Sequence, residues 1–333
     1  MNDTNVKIVV LGGGTGSFML LDELKHHTSN LTAIVNMVDD GGSTGVLRDE
    51  LGVLPPGDVR QCLVALSRSP DMRDLFNYRF EEGTFRGHSF GNMFLTALEK
   101  TTGSFADAVQ TASDILRTSG RVLPATLDNV RLVMTWPDGA ELRGEKVIDA
   151  EHFSQNPREA RLSLDPKGQA NPHALEAIAE ADLIVVAPGD LYTSIGPLLA
   201  VDGIVDAVKA SSAKKLYVCN LVTKEGQTDD LAASGHAAEI ERLAGEEFLD
   251  YMIYNDAIPD VGLAERYKAE GSYVVEADQA QLKEAHYIPY GGDLLGGIDA
   301  KETSDVLPVT RSLIRHDGAA VAKLILDVYH KNR

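Results

Sequence analysis

Two glycine-rich turns near the start of the chain each follow an apolar run that reads as a buried strand. The first turn, Gly12–Gly16, follows the run from Val6 to Leu11, and the second, Asp39–Gly45, follows Leu31–Val38. In each case the residues after the glycines have helical apolar spacing. A strand that passes through glycines into a helix points free backbone N–H groups and the positive helix end outward, which is how many proteins hold phosphate groups. Two such turns in succession predict a βαβ unit that binds a ligand with more than one anionic group.

The alternation of strand-like and helix-like segments continues in the second half of the chain, where Leu183–Ala187, Lys215–Cys219 and Tyr251–Tyr254 read as strands. This pattern predicts a three-layer α/β/α, Rossmann-like fold with a doubly wound, mainly parallel sheet. The whole chain, 1–333, is predicted to form a single α/β domain, with a helical insertion at about 59–120. Ligands of such sheets bind at the carboxyl ends of the strands, where the strand order reverses.

A β-hairpin is predicted at Val130–Trp136 and Glu141–Val147, because strand-like residues flank the turn sequence Pro137-Asp138-Gly139. Residues 151 to 170 show no strong period and are predicted to be connecting chain. A helix is predicted at Gly196–Ala210, a short strand at Tyr273–Val275 and a C-terminal helix at Asp317–Lys331.

The net charge of −19 argues against nucleic acid and anionic membrane surfaces as partners. No apolar run approaches the roughly 20 residues of a membrane helix, so membrane insertion is not expected. Cys62 and Cys219, the two cysteines, lie apart in apolar stretches, as buried thiols of a reducing compartment do. The start of the chain has no secretion signal pattern. We therefore expect a cytoplasmic protein.

The adjacent carboxylates of Asp39 and Asp40 stand at the second turn, where they either close the turn or hold Mg²⁺ beside a phosphate. Mg²⁺ typically takes one or two carboxylates together with waters and phosphate oxygens. Successive residues leaving a strand point in different directions, so one of the pair is expected to reach the ligand, and we favour Asp40. Asp58 is expected to act as an N-cap for the helix that follows it.

Several other polar residues are candidates that the sequence leaves open. His88 lies between Gly87 and Ser89, near Arg86 and Asn92, in a third glycine-bearing turn. Asn92 could equally be a helix cap, and the amides of Asn129 and Asn220, at strand ends, could read a base or a sugar or close a turn. Arg48 and Arg60 could each be a phosphate partner or an ordinary ion-pair former.

A nicotinamide dehydrogenase is a rival interpretation of the first turn. Gly12 and Gly14 match the first two glycines of the dinucleotide fingerprint, but Ser17 stands at the third position. A second glycine turn is not needed at such a site, and no second catalytic domain is evident. The sequence contains no Walker lysine pattern and no zinc-protease motif, so P-loop ATPases and zinc proteases are unsupported.

Six segments in order resemble one family across most of the chain, from about Val6 to Val321. The segments are Gly12–Gly16, Asp39–Gly45, Pro55–Arg60, Gly87–Asn92, Asp128–Val130 and Pro188–Ile195. The sequence is similar to the bacterial YvcK-like gluconeogenesis factors, within the superfamily of the 2-phospho-L-lactate transferase CofD. The resemblance implies a Rossmann-like sheet with a helical insertion. It also implies a role in gluconeogenic growth, peptidoglycan synthesis and cell shape, with nucleotide ligands such as UDP-sugars or NAD and no settled reaction.

The transferase branch of that superfamily uses Mg²⁺ and a diphosphate-linked nucleotide donor, so a CofD-type phospho-group transferase is the alternative function. The resemblance places ligand-facing turns at Gly13–Thr15, Gly41–Ser43, Arg86–Asn92 and Pro188–Thr193, and it places the metal at the Asp39-Asp40 turn. NAD or a UDP-sugar would be a ligand here and not a redox cofactor. The expected partners are a small nucleotide and a protein of cell-wall synthesis or central metabolism, and the sequence leaves a homo-oligomer open.

The residues expected to bind the ligand are therefore Gly13, Gly14, Thr15, Asp40, Gly41, Gly42, Ser43, Arg86, His88, Asn92, Asn129, Pro188, Gly189, Asp190, Tyr192 and Asn220, with Asp40 as the metal ligand. No catalytic residue is assigned.

Overall fold

The computed structural model describes residues 5–269, 271–296 and 315–332. Strands are formed by β1 Ile8–Gly12, β2 Leu31–Val35, β3 Arg121–Pro124, β4 Arg131–Thr135, β5 Glu141–Arg143, β6 Arg161–Asp165, β7 Leu183–Val186, β8 Lys214–Val218, β9 Tyr251–Asn255 and β10 Ile288–Gly292. Helices are formed by α1 Gly14–Leu24, α2 Gly42–Leu51, α3 Gly57–Leu66, α4 Pro70–Asn77, α5 Phe90–Thr102, α6 Phe105–Leu116, α7 Glu145–Ala150, α8 Pro172–Ala179, α9 Gly196–Leu199, α10 Ile204–Ala210, α11 Ala233–Ala244, α12 Val261–Ala269, α13 Gln279–Glu284 and α14 Gly318–Lys331.

The main sheet has seven strands within the described residues, in the order β10-β9-β8-β7-β1-β2-β3, and every pairing in it is parallel. From β1 the chain first builds outward through β2 and β3, then crosses over to β7 on the other side of β1. The strand order therefore reverses between β1 and β7. The predicted Rossmann-like, doubly wound α/β/α fold is confirmed.

Both faces of the main sheet are buried, as a parallel sheet between two helical layers requires. In β1, Ile8 and Val10 join one hydrophobic cluster, while Val9 and Leu11 join the cluster on the opposite face. The first cluster lies under α1, α3, α6 and α14 and the second under α8, α10 and α11. The four helices α3–α6 lie between β2 and β3 in the chain.

The hairpin prediction is confirmed, since β4 and β5 pair antiparallel, with Thr135 opposite Glu141. Its second strand was predicted too long. The strand ends at Arg143, and Gly144, with a φ of 98°, turns the chain into α7. The prediction that 151–170 is connecting chain was wrong, because β6 pairs with β4 to complete a three-stranded antiparallel sheet.

Of three predictions for the second half of the chain, the structure corrects two and confirms one. The helix predicted at Gly196–Ala210 is broken into α9 and α10, and Gly203 lies just before α10 in a left-handed conformation. The strand predicted at Tyr273–Val275 is reduced to an isolated bridge between Val222 and Val274. The C-terminal helix is confirmed, with the Asp317 side chain accepting a hydrogen bond from the backbone N–H of Ala320. None of the described helices is long and apolar enough to cross a bilayer.

Candidate functional site

A crevice lies at the carboxyl edge of the main sheet, where the turns that follow β1, β2 and β7 meet. The β1 and β7 turns touch through their backbones, since a Cβ atom on Gly16 would lie 1.8 Å from the Pro188 carbonyl oxygen. The Asn36 side chain, just beyond β2, donates to the Thr193 carbonyl oxygen at 3.1 Å. This is the switch point of the sheet, the position where open α/β folds bind their ligands. The structure therefore brings the predicted turns together in one place.

The first turn presents backbone to open space. Gly14 begins α1 with a φ of +62°, and a Cβ atom there would meet no other atom within 4 Å. Thr15 beside it is exposed. Part of this helix end is already capped from elsewhere in the chain, because the Asp58 carboxylate accepts a hydrogen bond from the Gly14 N–H.

The second turn also has a glycine that faces open space and an acidic side chain beside its backbone N–H groups. Asp39 accepts a hydrogen bond from the Gly41 N–H at 2.9 Å. Gly42 begins α2 and is exposed, with a φ of +42° and open space around it. The Asp39 carboxylate lies against the start of α3, because a Cβ atom on Gly57 would be 2.3 Å from its Oδ2 atom. Each glycine turn thus has an acidic side chain of the protein beside its N–H groups.

Asp58 is not the N-cap that the sequence predicted. α3 begins two residues before Val59, at Gly57, with Pro56 as its N-cap residue. The Asp58 carboxylate reaches across to the first turn, where a Cβ atom on Gly13 would lie 2.2 Å from its Oδ2 atom. Burial and, after it, the negative charge of Asp39 together raise the pKa of Asp58 to about 7. Burial also raises the pKa of Asp39, where Asp40 contributes in the same direction.

Glu145, at the start of α7, adds a third acid to this cluster. Burial and, after it, the negative charges of Asp39, Asp149 and Asp58 together raise its pKa to about 9. The raised pKa values of these three acids come first from burial and then from the negative charges of their neighbours. The crevice therefore contains buried acidic side chains next to helix N-termini, which favour anions.

The Asp40 carboxylate is directed at the start of α7 and at β4. Its Oδ1 atom accepts a hydrogen bond from the backbone N–H of Lys146 at 2.8 Å, at the N-terminus of α7, and its Oδ2 atom lies 3.3 Å from Arg131. Both carboxylate oxygens therefore have partners, which fix α7 and β4 to the second turn. Of the adjacent pair, Asp39 is the one that points toward the glycine turns.

Asp39 and Asp58 lie beside the glycine turns and could hold a divalent cation, whereas Asp40 is engaged by Lys146 and Arg131. Among the residues that the structure describes, no group of three or more His, Cys, Asp or Glu side chains converges as a complete metal cage. Mg²⁺ does not require such a cage, because it binds through one or two carboxylates and fills its remaining positions with water and phosphate oxygens. The assignment of a metal to Asp40 stays a prediction, and Asp39 and Asp58 are the other acids here that could hold one.

The third glycine-bearing turn carries His88 beside the second turn. The His88 Nδ1 atom lies 3.0 Å from the Ser43 hydroxyl, and Arg86 is exposed at the tip of the same loop. Asn92 is buried and has an internal role, because its Oδ1 atom accepts from Arg60 at 3.0 Å and its backbone N–H is capped by Ser89. Arg60 also donates to Asn77 at 2.7 Å.

Asn129 is bound to Arg48. Its Oδ1 atom accepts from the Arg48 Nε at 3.0 Å and from Nη2 at 2.7 Å, and Arg48 also donates to the Val130 carbonyl oxygen. Arg48 is buried, so this group ties α2 to the start of β4. Asn129 is itself exposed, and its contact with a ligand stays a prediction.

The β7 turn is held by Asn220, whose side chain accepts from the Gly189 N–H at 3.0 Å and donates to the Gly189 carbonyl oxygen at 2.9 Å. Lys224 lies 2.9 Å from Asp190 and also pairs with Asp149. Tyr192 is 1% exposed and packs in the hydrophobic core, so its side chain does not face the crevice. Asp190 and Gly189 are partly exposed at the crevice.

Sequence reasoning missed the roles of Asp58, Glu145 and Lys224. Asp58 stands in the motif Pro55–Arg60 that carried the family resemblance, and this was the one signal that pointed to it. Glu145 fell inside a segment predicted to be a strand, which hid its position at the start of α7. No local pattern marks Lys224, which reaches the crevice through its pairing with Asp190.

Comparison with known proteins agrees with this architecture. The family model described as 2-phospho-L-lactate transferase CofD matches residues 8–295. The chain belongs to the CofD family. Within the family, a relative from Thermotoga maritima is 41% identical over 96% of this chain and 98% of its own. A Bacillus subtilis relative named "Gluconeogenesis factor" is 38% identical over 97% of this chain and 98% of its own.

A solved structure in the family has the same fold. The crystal structure of a Bacillus halodurans protein matches with a TM-score of 0.87 and 37% identity, covering 96% of this chain and 99% of that one. A second crystal structure, whose protein is described as a UPF0052 family member, matches with a TM-score of 0.86. The resemblance to the gluconeogenesis factors within the CofD superfamily is confirmed.

Proposed function

We propose that this chain is a cytoplasmic regulatory factor that binds a diphosphate-bridged nucleotide, of the UDP-sugar or NAD type. It would couple that ligand to gluconeogenic growth, cell-wall synthesis and cell shape. The observation that carries the proposal is the meeting of the β1, β2 and β7 turns at the switch point, with Gly14 and Gly42 facing open space. Two glycine turns at helix N-termini, each with open space beside a glycine, suit the two phosphates of a diphosphate bridge.

The acids in the crevice set a condition on this ligand. A diphosphate brought beside Asp39 and Asp58 meets like charges, and burial already opposes ionisation of both carboxyls. A divalent cation between the acids and the phosphates removes that conflict, as it does at many nucleotide sites. We therefore expect binding to require Mg²⁺, held by Asp39 and Asp58, whose charge neutralises both the carboxylates and the phosphate oxygens.

The remaining contacts divide by position. The backbone of Gly13–Thr15 and Gly41–Ser43 would hold the diphosphate, with Arg86 and His88 reaching it from the third turn. The segment Pro188–Asp190 would contact the sugar or the base from the β7 side. Asn220 would act by holding Gly189 in place, and the Tyr192 side chain is left out because it lies in the core.

The alternative is a CofD-type phospho-group transferase, and the match of the CofD family model to residues 8–295 supports it. In that reaction an acceptor oxygen forms a new P–O bond with the phosphorus that carries the transferred group. The bond from that phosphorus to the bridging oxygen breaks, and the nucleoside monophosphate leaves with the electron pair. Such a transfer depends on positioned cations that stabilise the phosphoryl oxygens in the transition state.

One experiment separates the two functions. The protein is incubated with UDP-N-acetylglucosamine, with Mg²⁺ or with EDTA, and both the melting temperature and the integrity of the nucleotide are followed. Stabilisation that requires Mg²⁺, with the nucleotide intact, supports a binding factor. Release of UMP supports the transferase. If neither UDP-N-acetylglucosamine nor NAD stabilises the protein with Mg²⁺ present, the proposed ligand class is wrong.

Two expected partners stay predictions. A protein of cell-wall synthesis or central metabolism would receive the signal, and pull-down with and without bound nucleotide tests this. A homo-oligomer is tested by light scattering of the purified protein.

A further inference from the structure

A polar cavity of about 510 Å³ opens at the opposite end of the main sheet from the crevice. It is lined by Asp22, Lys25, His26, Ser67, Arg68, Pro70, Arg73 and Ser119. These residues come from the C-terminal ends of α1 and α3, the start of α4 and the segment before β3. We call it the base cavity. Its volume lies in the range of small-molecule sites, which are typically about 300–1,000 Å³.

The charge of the base cavity is opposite to that of the whole chain. Lys25, Arg68 and Arg73 contribute three positive charges, and Asp22 is the one acid among the lining residues. The chain as a whole carries −19. A basic cavity in so acidic a protein attracts anions locally, whereas the rest of the surface repels them.

Asp22 is already matched to its neighbours. It lies 2.6 Å from the Lys25 Nζ and 2.8 Å from an Arg73 nitrogen. Burial opposes its ionisation, but the hydrogen bonds from Lys25 and Arg73 outweigh that effect, and the pKa of Asp22 is lowered. Lys25 also donates to the carbonyl oxygens of Ala65 and Ser67. Lys25 and Asp22 are therefore the fixed wall of the cavity.

Arg68 is the cation whose charge is not matched. Its side chain donates to the Ser119 hydroxyl, and no carboxylate of the described residues lies within ion-pair distance of it. A guanidinium bound to a neutral hydroxyl keeps its full charge and further N–H donors for a ligand. Arg73, which shares one carboxylate with Lys25, stands on the adjacent wall.

We infer that the base cavity binds the phosphate group of a small phosphate monoester, with Arg68 and Arg73 as its charge partners. Guanidinium groups form paired, charge-assisted hydrogen bonds to phosphate oxygens, and a dianion matches the excess of two positive charges. The N-terminus of α4, at Pro70, faces the same cavity and adds a favourable dipole. The remaining volume accommodates a small organic group such as a sugar.

The base cavity is connected to the crevice by two helices. α1 begins at Gly14 and α3 begins at Gly57, both in the crevice, and both end at residues that line or adjoin the base cavity. Helices of 11 and 10 residues span about 16 Å and 15 Å. A phosphate monoester bound there would act as an effector of the crevice. Binding itself does not depend on the proposed nucleotide function.

The test measures binding of glucose 6-phosphate to the full chain by calorimetry, with glucose as the probe that lacks the phosphate. The variant is Arg68→Gln, which removes the unmatched charge at an exposed position. Its control is Arg161→Gln, which makes the same charge change at an exposed arginine on β6. Since one charge-assisted hydrogen bond contributes about 1.5–3 kcal/mol, we expect Arg68→Gln to weaken the phosphate monoester at least about tenfold.

The inference predicts that glucose does not bind, that Arg161→Gln and Gly14→Ala retain wild-type affinity for glucose 6-phosphate, and that added salt weakens it. Three outcomes would overturn it: no binding of glucose 6-phosphate or inorganic phosphate at millimolar concentration, equal affinity in Arg68→Gln and wild type, or an equal loss in Arg161→Gln. Failure of UDP-N-acetylglucosamine to bind would leave these measurements unaffected, so the two proposals are separable.

Discussion

Replacing Gly14 by alanine adds one methyl group on the open side of the first glycine turn. No atom lies within 4 Å of the position that the new Cβ atom would take, so the folded protein has room for it. The proposed diphosphate would occupy that same space. The backbone φ of +62° disfavours alanine, which costs about 1 kcal/mol of stability. Gly52→Ala is the matched control, because Gly52 has a φ of +64° and equally open surroundings at the far end of α2.

The cost of the substitution and the stabilisation by the nucleotide can both be expressed as changes in Tm. An unfolding entropy of about 2.1 cal/mol/K per residue gives about 0.7 kcal/mol/K for 333 residues, so about 1 kcal/mol lowers Tm by about 1.4 °C. Nucleotide at about 100 times its Kd stabilises wild type by about 2.7 kcal/mol, or about 4 °C. Loss of a charge-assisted hydrogen bond to phosphate weakens binding by about 10- to 100-fold, which reduces that rise to between about 0.6 and 2 °C.

The assay is thermal unfolding of wild type, Gly14→Ala and Gly52→Ala, with and without UDP-N-acetylglucosamine and Mg²⁺. Both variants are expected to melt slightly below wild type without ligand, and only Gly14→Ala is expected to lose most of the ligand-dependent rise. A full rise of about 4 °C in folded Gly14→Ala would refute the assignment of the first turn to the phosphates. A loss in Gly52→Ala as well would show that the strained backbone, and not the filled space, is responsible.

Three further predictions follow from the contacts of the crevice. The raised pKa of Asp58 means that the folded protein holds a proton that the unfolded chain releases between pH 3.8 and about 7, so stability falls as pH rises through that window. Asp58→Asn should therefore melt above wild type at pH 8 and converge with it near pH 4, and parallel curves at both pH values would contradict this origin of the shift. Asp40→Asn should lose about 1 kcal/mol in denaturant unfolding while keeping Mg²⁺-dependent nucleotide binding, whereas Asp39→Asn should lose the Mg²⁺ dependence; the reverse pattern would return the metal to Asp40. Asn220→Ala should cost about 1–3 kcal/mol and weaken the nucleotide, because two hydrogen bonds to Gly189 are lost, and unchanged affinity would remove the β7 turn from the site.

The central strands of this fold were readable from the sequence because they are buried on both faces. Runs such as Ile8–Leu11 and Leu183–Val186 are continuous apolar segments that end at glycine or proline turns, and parallel strands between helical layers require that composition. The edge strand β10 contains a proline and two glycines, so its strand character comes from pairing with β9. The same holds for β6, whose alternating leucines are too few to stand out without β4.

The sequence predicted which turns form the crevice, but it did not predict the contacts of the acidic side chains there. Strand ends of a parallel sheet meet at one edge, so the turn residues were brought together as expected. Which carboxylate points inward depends on contacts between segments far apart in sequence. Asp40 is held by Lys146 and Arg131, and Asp58 reaches the first turn from α3. Local sequence patterns carry no information about such contacts. The preference for Asp40 over Asp39 rested on the local sequence alone.

The most direct measurement is a crystal structure of the protein with UDP-N-acetylglucosamine and Mg²⁺. We expect the diphosphate to lie between the first and second glycine turns, with the metal bound by Asp39 and Asp58. A nucleotide bound elsewhere on the protein while both turns stay vacant, or a diphosphate bound with no metal beside those acids, would contradict it.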